Sequence, residues 1–86
     1  MIIDFFAEWC GPCRMMGPVF ESLSTEYKGK LKFLKLNTEN YPEIAQQFEI
    51  QGIPALVIVD KGKEIDRIVG FAPEDSLRES INSAIL

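Results

Sequence analysis

Cys10 and Cys13 are the only cysteines in the chain, and they stand three residues apart in the run Trp9-Cys10-Gly11-Pro12-Cys13. On a helix, residues i and i+3 share a face about 5–6 Å apart, which is within disulfide range. A cysteine at a helix start lies beside unsatisfied backbone N–H groups and the positive end of the dipole. That setting favours the thiolate, the form that attacks a disulfide. Cys10 is therefore the candidate nucleophile. Cys13, one turn inward, is placed to resolve a mixed disulfide. Gly11 and Pro12 keep the loop tight, and Trp9 shields one side. A bridge across so short a loop removes little chain entropy, so the pair is read as chemistry rather than as a staple. The plainer alternatives are a structural disulfide or half of a metal site. A four-ligand zinc site lacks two ligands here, and Arg14 stands where a c-type haem site needs histidine. A cluster ligated by two chains is the metal case that stays open.

Histidine is absent. This excludes Ser-His-Asp and Cys-His nucleophile pairs, His-ligated metals and His proton shuttles. The 86 residues suffice for one domain, read as 1–86. With 47% hydrophobic and 26% charged residues, the balance is that of a soluble globular chain rather than a disordered one. Nine basic residues against thirteen acidic ones leave a net charge of −4, with no Lys/Arg cluster, so neither nucleic acid nor an anionic membrane is an expected partner. The longest unbroken apolar run, Ala55–Val59, is far short of a membrane span. The N-terminus lacks a basic n-region and Asp4 interrupts its apolar stretch, so no secretory signal is read.

The elements that must position the cysteines follow from periodicity. Met1–Phe6 reads as a buried strand. Met16, Val19, Phe20, Leu23 and Tyr27 fall on one face of a helix that begins at the cysteine motif. Pro12 suits its first turn, Pro18 should kink it and Gly29 should stop it. Leu31–Leu36 reads as a second strand, broken by Lys32 and Lys35. Asn40 and Glu43 resemble a capping box for a short helix carrying Ile44, Ala45 and Phe48. Ala55–Val59 and Glu64–Val69 read as strands joined by a hairpin at Asp60-Lys61-Gly62-Lys63. A last helix opens at Pro73, Glu74 and Asp75, with Leu77, Ile81, Ala84 and Ile85 as its buried face. The order β-α-β-α-β-β-α, with a right-handed parallel first unit and an antiparallel closing hairpin, predicts an α/β domain with one four-stranded mixed sheet flanked by helices. Asp4 lies in an Ile-Ile-Asp-Phe-Phe run, where a charge is costly unless partnered.

Asp4-Phe5-Phe6-Ala7-Glu8-Trp9-Cys10-Gly11-Pro12-Cys13-Arg14-Met15, with Pro18, Lys35-Leu36-Asn37, Gly52-Ile53-Pro54-Ala55-Leu56 and Gly70, resembles the thioredoxin family over essentially the whole chain. The Trp-Cys-Gly-Pro-Cys run with the later Ile-Pro is specific, whereas Cys-x-x-Cys alone would be weak. The resemblance implies a thioredoxin-like fold and an enzyme that reduces protein disulfides. It makes Cys10 the exposed nucleophile, Cys13 the resolving thiol, and Pro54 a cis-proline against the disulfide. It makes Asp4 the buried carboxylate that helps move the Cys13 proton, with Lys35 nearby. Trp9, Gly11, Pro12, Ile53, Gly70 and Phe71 would line a docking groove. No bound cofactor is implied. The partners would be disulfide-containing proteins and a thioredoxin-reductase-type electron donor, and the location the cytoplasm.

The alternative for Lys35 is a solvated charge guarding an edge strand, for Pro54 a trans proline, and for Phe71 core packing. Two departures from the family stand out. The chain begins at what resembles the family's second strand, lacking the first strand and helix, and Phe6 and Phe71 replace a usual Trp and a small residue. The first departure leads to the expectation of an uncovered sheet edge and a weak homodimer. The alternative functions are a glutaredoxin-like or oxidising exchange protein, or a binding module without catalysis.

Overall fold

The computed structural model describes residues 1–85. Its elements are β1 (Ile2–Phe6), α1 (Gly11–Glu26), β2 (Phe33–Asn37), α2 (Pro42–Gln47), β3 (Ala55–Asp60), β4 (Lys63–Val69) and α3 (Glu74–Ile85). The strands form one sheet in the order β2-β1-β3-β4. β1 runs parallel to β2 and antiparallel to β3, and β3 pairs antiparallel with β4. The element order and the mixed sheet are those of a thioredoxin-like α/β fold.

β1 and β3 are the inner strands, and their continuous Ile, Leu, Val and Phe content reflects burial on both faces. Alternation then sorts the side chains. Ile2, Leu56 and Ile58 pack under α1 and α3 with Met16, Phe20, Leu23, Tyr27, Leu77 and Ile81. Ile3, Phe5, Ala55, Val57 and Val59 face the other way, where α2 adds Ala45 and Ile44, with Phe48 and Ile50 from the segment that follows it. The second face thus has only a six-residue helix over it. Arg67 on β4 fastens that cover. Its guanidinium donates to the Phe48 carbonyl at 2.6 Å and to the Glu49 carbonyl at 3.4 Å, and its Nε and Nη2 grip Glu64 at 2.7 and 2.6 Å.

Four sequence expectations are corrected. β2 starts at Phe33 rather than Leu31, because the amides of Lys30 and Leu31 turn back to the Tyr27 carbonyl at 2.8 and 3.1 Å. α1 ends at Glu26 with Tyr27 as its cap, so Gly29, at φ 84°, lies in the following turn. The Asn40–Glu43 capping box does not form. Tyr41 occupies the N-cap without a side-chain bond, and Pro42 fills the first helical turn, where no amide donor is needed. Ile85 is 41% exposed rather than part of the α3 core face, which keeps Leu77 and Ile81 in the core with Ala84 packed against it. The hairpin does form as the turn residues suggest. Lys61 and Gly62, at φ 52° and 79°, are the left-handed pair of a tight two-residue connection.

Candidate active site

β1 lies in the middle of the sheet and ends at Phe6, and the chain then delivers both cysteines in one turn. The Cys10 amide donates to the Ala7 carbonyl at 3.3 Å, and the Arg14 amide to the Cys10 carbonyl at 3.2 Å, which starts α1. Cys10 is the N-cap, extended at φ −88° and ψ 115°, and Pro12 sits in the first turn. In place of a capping oxygen, the Cys10 Sγ accepts the Cys13 amide at 3.2 Å. The two cysteines form a disulfide with Cα atoms 5.2 Å apart.

The expected openness of Cys10 is not what the disulfide form presents. Each cysteine is only 5% exposed, packed with Ala7 beneath Phe6 and Ile53. The Cys10 sulfur lies 3.8 Å from the Ile53 carbonyl oxygen, at the start of α1.

The Ile53–Pro54 peptide bond is cis, and Pro54 is buried. The Pro54 carbonyl accepts the Gly70 amide at 2.7 Å, which ties this turn to the end of β4. Gly70, at φ 90°, adopts a backbone that suits glycine. Gly52 approaches Val69 so closely that a Cβ there would lie 3.1 Å from Val69 Cγ1. Of the expected groove residues, Trp9 is 67% exposed, Phe71 41% exposed, and Gly11 and Pro12 are open to solvent. Ile53 and Gly70 are half-buried. Phe71 is therefore not core packing. Val69, 59% exposed, adds apolar surface that the strand pattern alone did not single out.

Asp4 is on the α1 side of β1, opposite Leu56 and Lys35 in the sheet register. It is 1% exposed, and its Oδ1 has no hydrogen-bond partner among the described residues. Burial pushes its carboxyl up to about 6, with the positive charge of Lys35 acting in the opposite direction. The Lys35 ammonium rests 4.8 Å from the centre of the Phe6 ring. A cavity of about 420 Å³ opens beside it, walled by Phe6, Cys13, Arg14 and Gly17 among others. Lys35, Cys13 and solvent thus meet at one opening.

One neighbour of the cysteines escaped the sequence reading. The Trp9 indole Nε1 donates to Glu39 Oε2 at 3.0 Å. The partners are thirty residues apart on separate loops, and no periodicity or local motif links them. Among the described residues, no group of three His, Cys, Asp or Glu side chains is placed to hold a metal. No helix among them is long and apolar enough to cross a membrane.

The arrangement can cycle between dithiol and disulfide, with a helix start to stabilise one thiolate and a buried carboxyl on the adjoining strand. Comparison with known proteins gives the same chemistry a lineage. The family model described as Thioredoxin matches residues 1–83. The thioredoxin of Staphylococcus saprophyticus is 44% identical over 80 residues, covering 93% of this chain and 77% of that protein. Thioredoxin 1 of a Nostoc species is 41% identical over 81 residues, 94% of this chain and 76% of its own. The thioredoxin of Staphylococcus aureus is likewise 41% identical over 81 residues, covering 94% and 78%.

Proposed function

Because the chain belongs to the thioredoxin family and is a thiol–disulfide oxidoreductase of the protein-disulfide reductase type, we propose a division of roles among its site residues. In the reduced protein the Cys10 thiolate attacks one sulfur of a substrate disulfide. A bond forms between Cys10 Sγ and that sulfur, and the other substrate sulfur leaves as a thiolate. Cys13 then gives its proton to the Asp4 carboxylate and attacks Cys10 Sγ. The Cys10–Cys13 bond forms, the second substrate thiolate leaves, and two electrons have passed to the substrate. A reductase-type partner protein returns two electrons, so the chain carries electrons without a bound cofactor.

The observation that carries this reading is Cys10 at the N-cap of α1, its sulfur accepting the Cys13 amide. An amide aimed at the sulfur favours negative charge there, a setting for which thioredoxins are themselves a standard example. Trp9, Gly11, Pro12, Ile53, Pro54, Gly70 and Phe71 form the docking groove in this reading. Their supporting features are the exposure of Trp9 and Phe71 and the packing of Ile53 against the cysteines. Lys35 helps set the charge state of Asp4. Residues 1–86 act as one domain. The cytoplasm suits the role, because a reductive pair needs surroundings that return it to the dithiol.

The test is asymmetric. Cys10→Ser abolishes reaction with protein disulfides, and Cys13→Ser accumulates a mixed disulfide through Cys10. Trapping by Cys10→Ser instead would reverse the assignment. The reduction potential of the pair, measured against a glutathione buffer, decides between this reading and net oxidation of partners. A weak homodimer through the outer edge of β2 belongs to the same proposal. Sedimentation over a concentration series would show it as a rising mass, and an unchanging monomer would remove it.

A further inference from the structure

We propose that Glu39 is a positioning residue for the reaction: its carboxylate pins the Trp9 indole beside Cys10 and thereby sets the affinity for protein disulfides. The proposal rests on the reading of Trp9 as a wall of the docking groove. Trp9 is 67% exposed, so packing supplies little to hold a large side chain in one rotamer. What does hold it is the 3.0 Å bond from Nε1 to Glu39 Oε2, a charge-assisted contact.

The turn that carries the acceptor is itself held by hydrogen bonds. The Glu39 amide donates to Asn37 Oδ1 at 2.9 Å, and the amides of Asn40 and Tyr41 both donate to the Asn37 carbonyl at 3.1 Å. The Thr38 amide donates to the Phe6 carbonyl at 2.9 Å. Phe6 is the last residue of β1, three positions before Trp9. Phe6, Thr38, Glu39 and Trp9 therefore close a ring of bonds that joins the loop after β1 to the loop after β2. The Trp9 ring is held at the lip of the site by the same frame that places Cys10. A partner chain then meets an ordered wall and does not have to immobilise it on binding.

Ordering one side chain is worth about two- to tenfold in affinity. Glu39→Ala should raise KM for insulin, used as the protein disulfide, by a factor in that range, with the loss on KM rather than kcat. The rate with dithiobis(nitrobenzoate), too small to span the groove, should stay as it is. Trp9 is the only tryptophan, so its fluorescence anisotropy reads the effect directly and should fall in Glu39→Ala. Glu39→Gln keeps an acceptor oxygen and should restore both signals. In a Trp9→Phe background, which lacks the N–H, Glu39→Ala should add nothing to KM.

Unchanged anisotropy and KM in Glu39→Ala would overturn the proposal. So would equal losses in Glu39→Ala and Glu39→Gln, which would mark a charge effect. If Trp9→Ala raises KM while Glu39→Ala does not, the groove reading stands and this inference fails. If Trp9→Ala leaves KM unchanged, the groove reading itself fails.

Discussion

Asp4→Asn separates the cost of burying a charge from the cost of burying a polar group. The Asp4 carboxyl titrates at about 6 in the folded protein against 3.8 for the free group, chiefly through burial. The folded state thus binds this proton more tightly than the unfolded chain does. The penalty is absent below pH 3.8, grows between 3.8 and 6, and is complete above the folded value. At about 1.4 kcal/mol per pH unit, the gap amounts to about 3 kcal/mol of stability withheld at neutral pH. An asparagine pays its own desolvation cost, about 1–3 kcal/mol if the amide is left unpaired, but that cost does not vary with pH. The assay is urea unfolding of the oxidised proteins, in which neither cysteine titrates, from about pH 4 to about pH 8. Glu26 and Glu64 titrate below their ordinary range because Arg78 and Arg67 hydrogen-bond them, and they tilt the curve the other way. Both variants share that tilt, so it cancels in the difference. The stability of Asp4→Asn minus that of wild type should climb by about 2.5 kcal/mol across this range, most steeply between about 4 and 6. A difference that is flat across this range would refute the placement of a charged carboxylate in an apolar strand. In the proposed mechanism the same variant should also slow release of substrate from a Cys10 mixed disulfide, since Asp4 is there the proton acceptor for Cys13.

Lys35→Gln removes the cation that opposes the upward push on Asp4, so the Asp4 carboxyl should titrate higher still, read as a displaced carboxyl resonance in a pH series by NMR. Lys61→Asn places a residue tolerant of positive φ at the hairpin, where Lys61 sits at φ 52°, and should raise the urea midpoint by an amount equivalent to about 0.5–1 kcal/mol. Arg67→Ala unties β4 from the carbonyls of Phe48 and Glu49 and should cost about 1–2 kcal/mol in chemical denaturation, with faster amide exchange confined to α2.

What was legible in the sequence is what local pattern encodes. The Cys-x-x-Cys at a strand-to-helix junction, the burial of Asp4 among Ile and Phe, and the Lys61-Gly62 turn each depend on neighbours within a few positions. The misread cap shows the limit of that approach. Asn40 and Glu43 have the right types and spacing, but Pro42 settles the first turn of α2 and Asn37 already organises the approach to it. Leu31 is apolar enough for a strand, yet the helix before it closes by turning the Leu31 amide back to Tyr27. The pairings of Trp9 with Glu39 and of Arg67 with Phe48 were invisible for another reason. Each joins two loops or edges that only the finished sheet brings together, and side chains of that kind leave no period in the chain.

The unequal cover of the two sheet faces sets an order in which the molecule comes apart. α2 contributes one buried residue, Ala45, and depends on Arg67 for its anchorage, whereas α1 contributes Cys13, Met16, Phe20 and Leu23. Partial openings draw on the least buried units first, so α2 and the segment behind it form the low-energy opening and the β1–β3–α1–α3 body the high-energy one. Asp4, on β1, and the cysteines, at the start of α1, belong to the second unit. A fluctuation that lifts α2 exposes Phe48 and Ile50 while Asp4 stays buried beneath α1. The redox pair is thereby housed in the part of the protein that exchanges last.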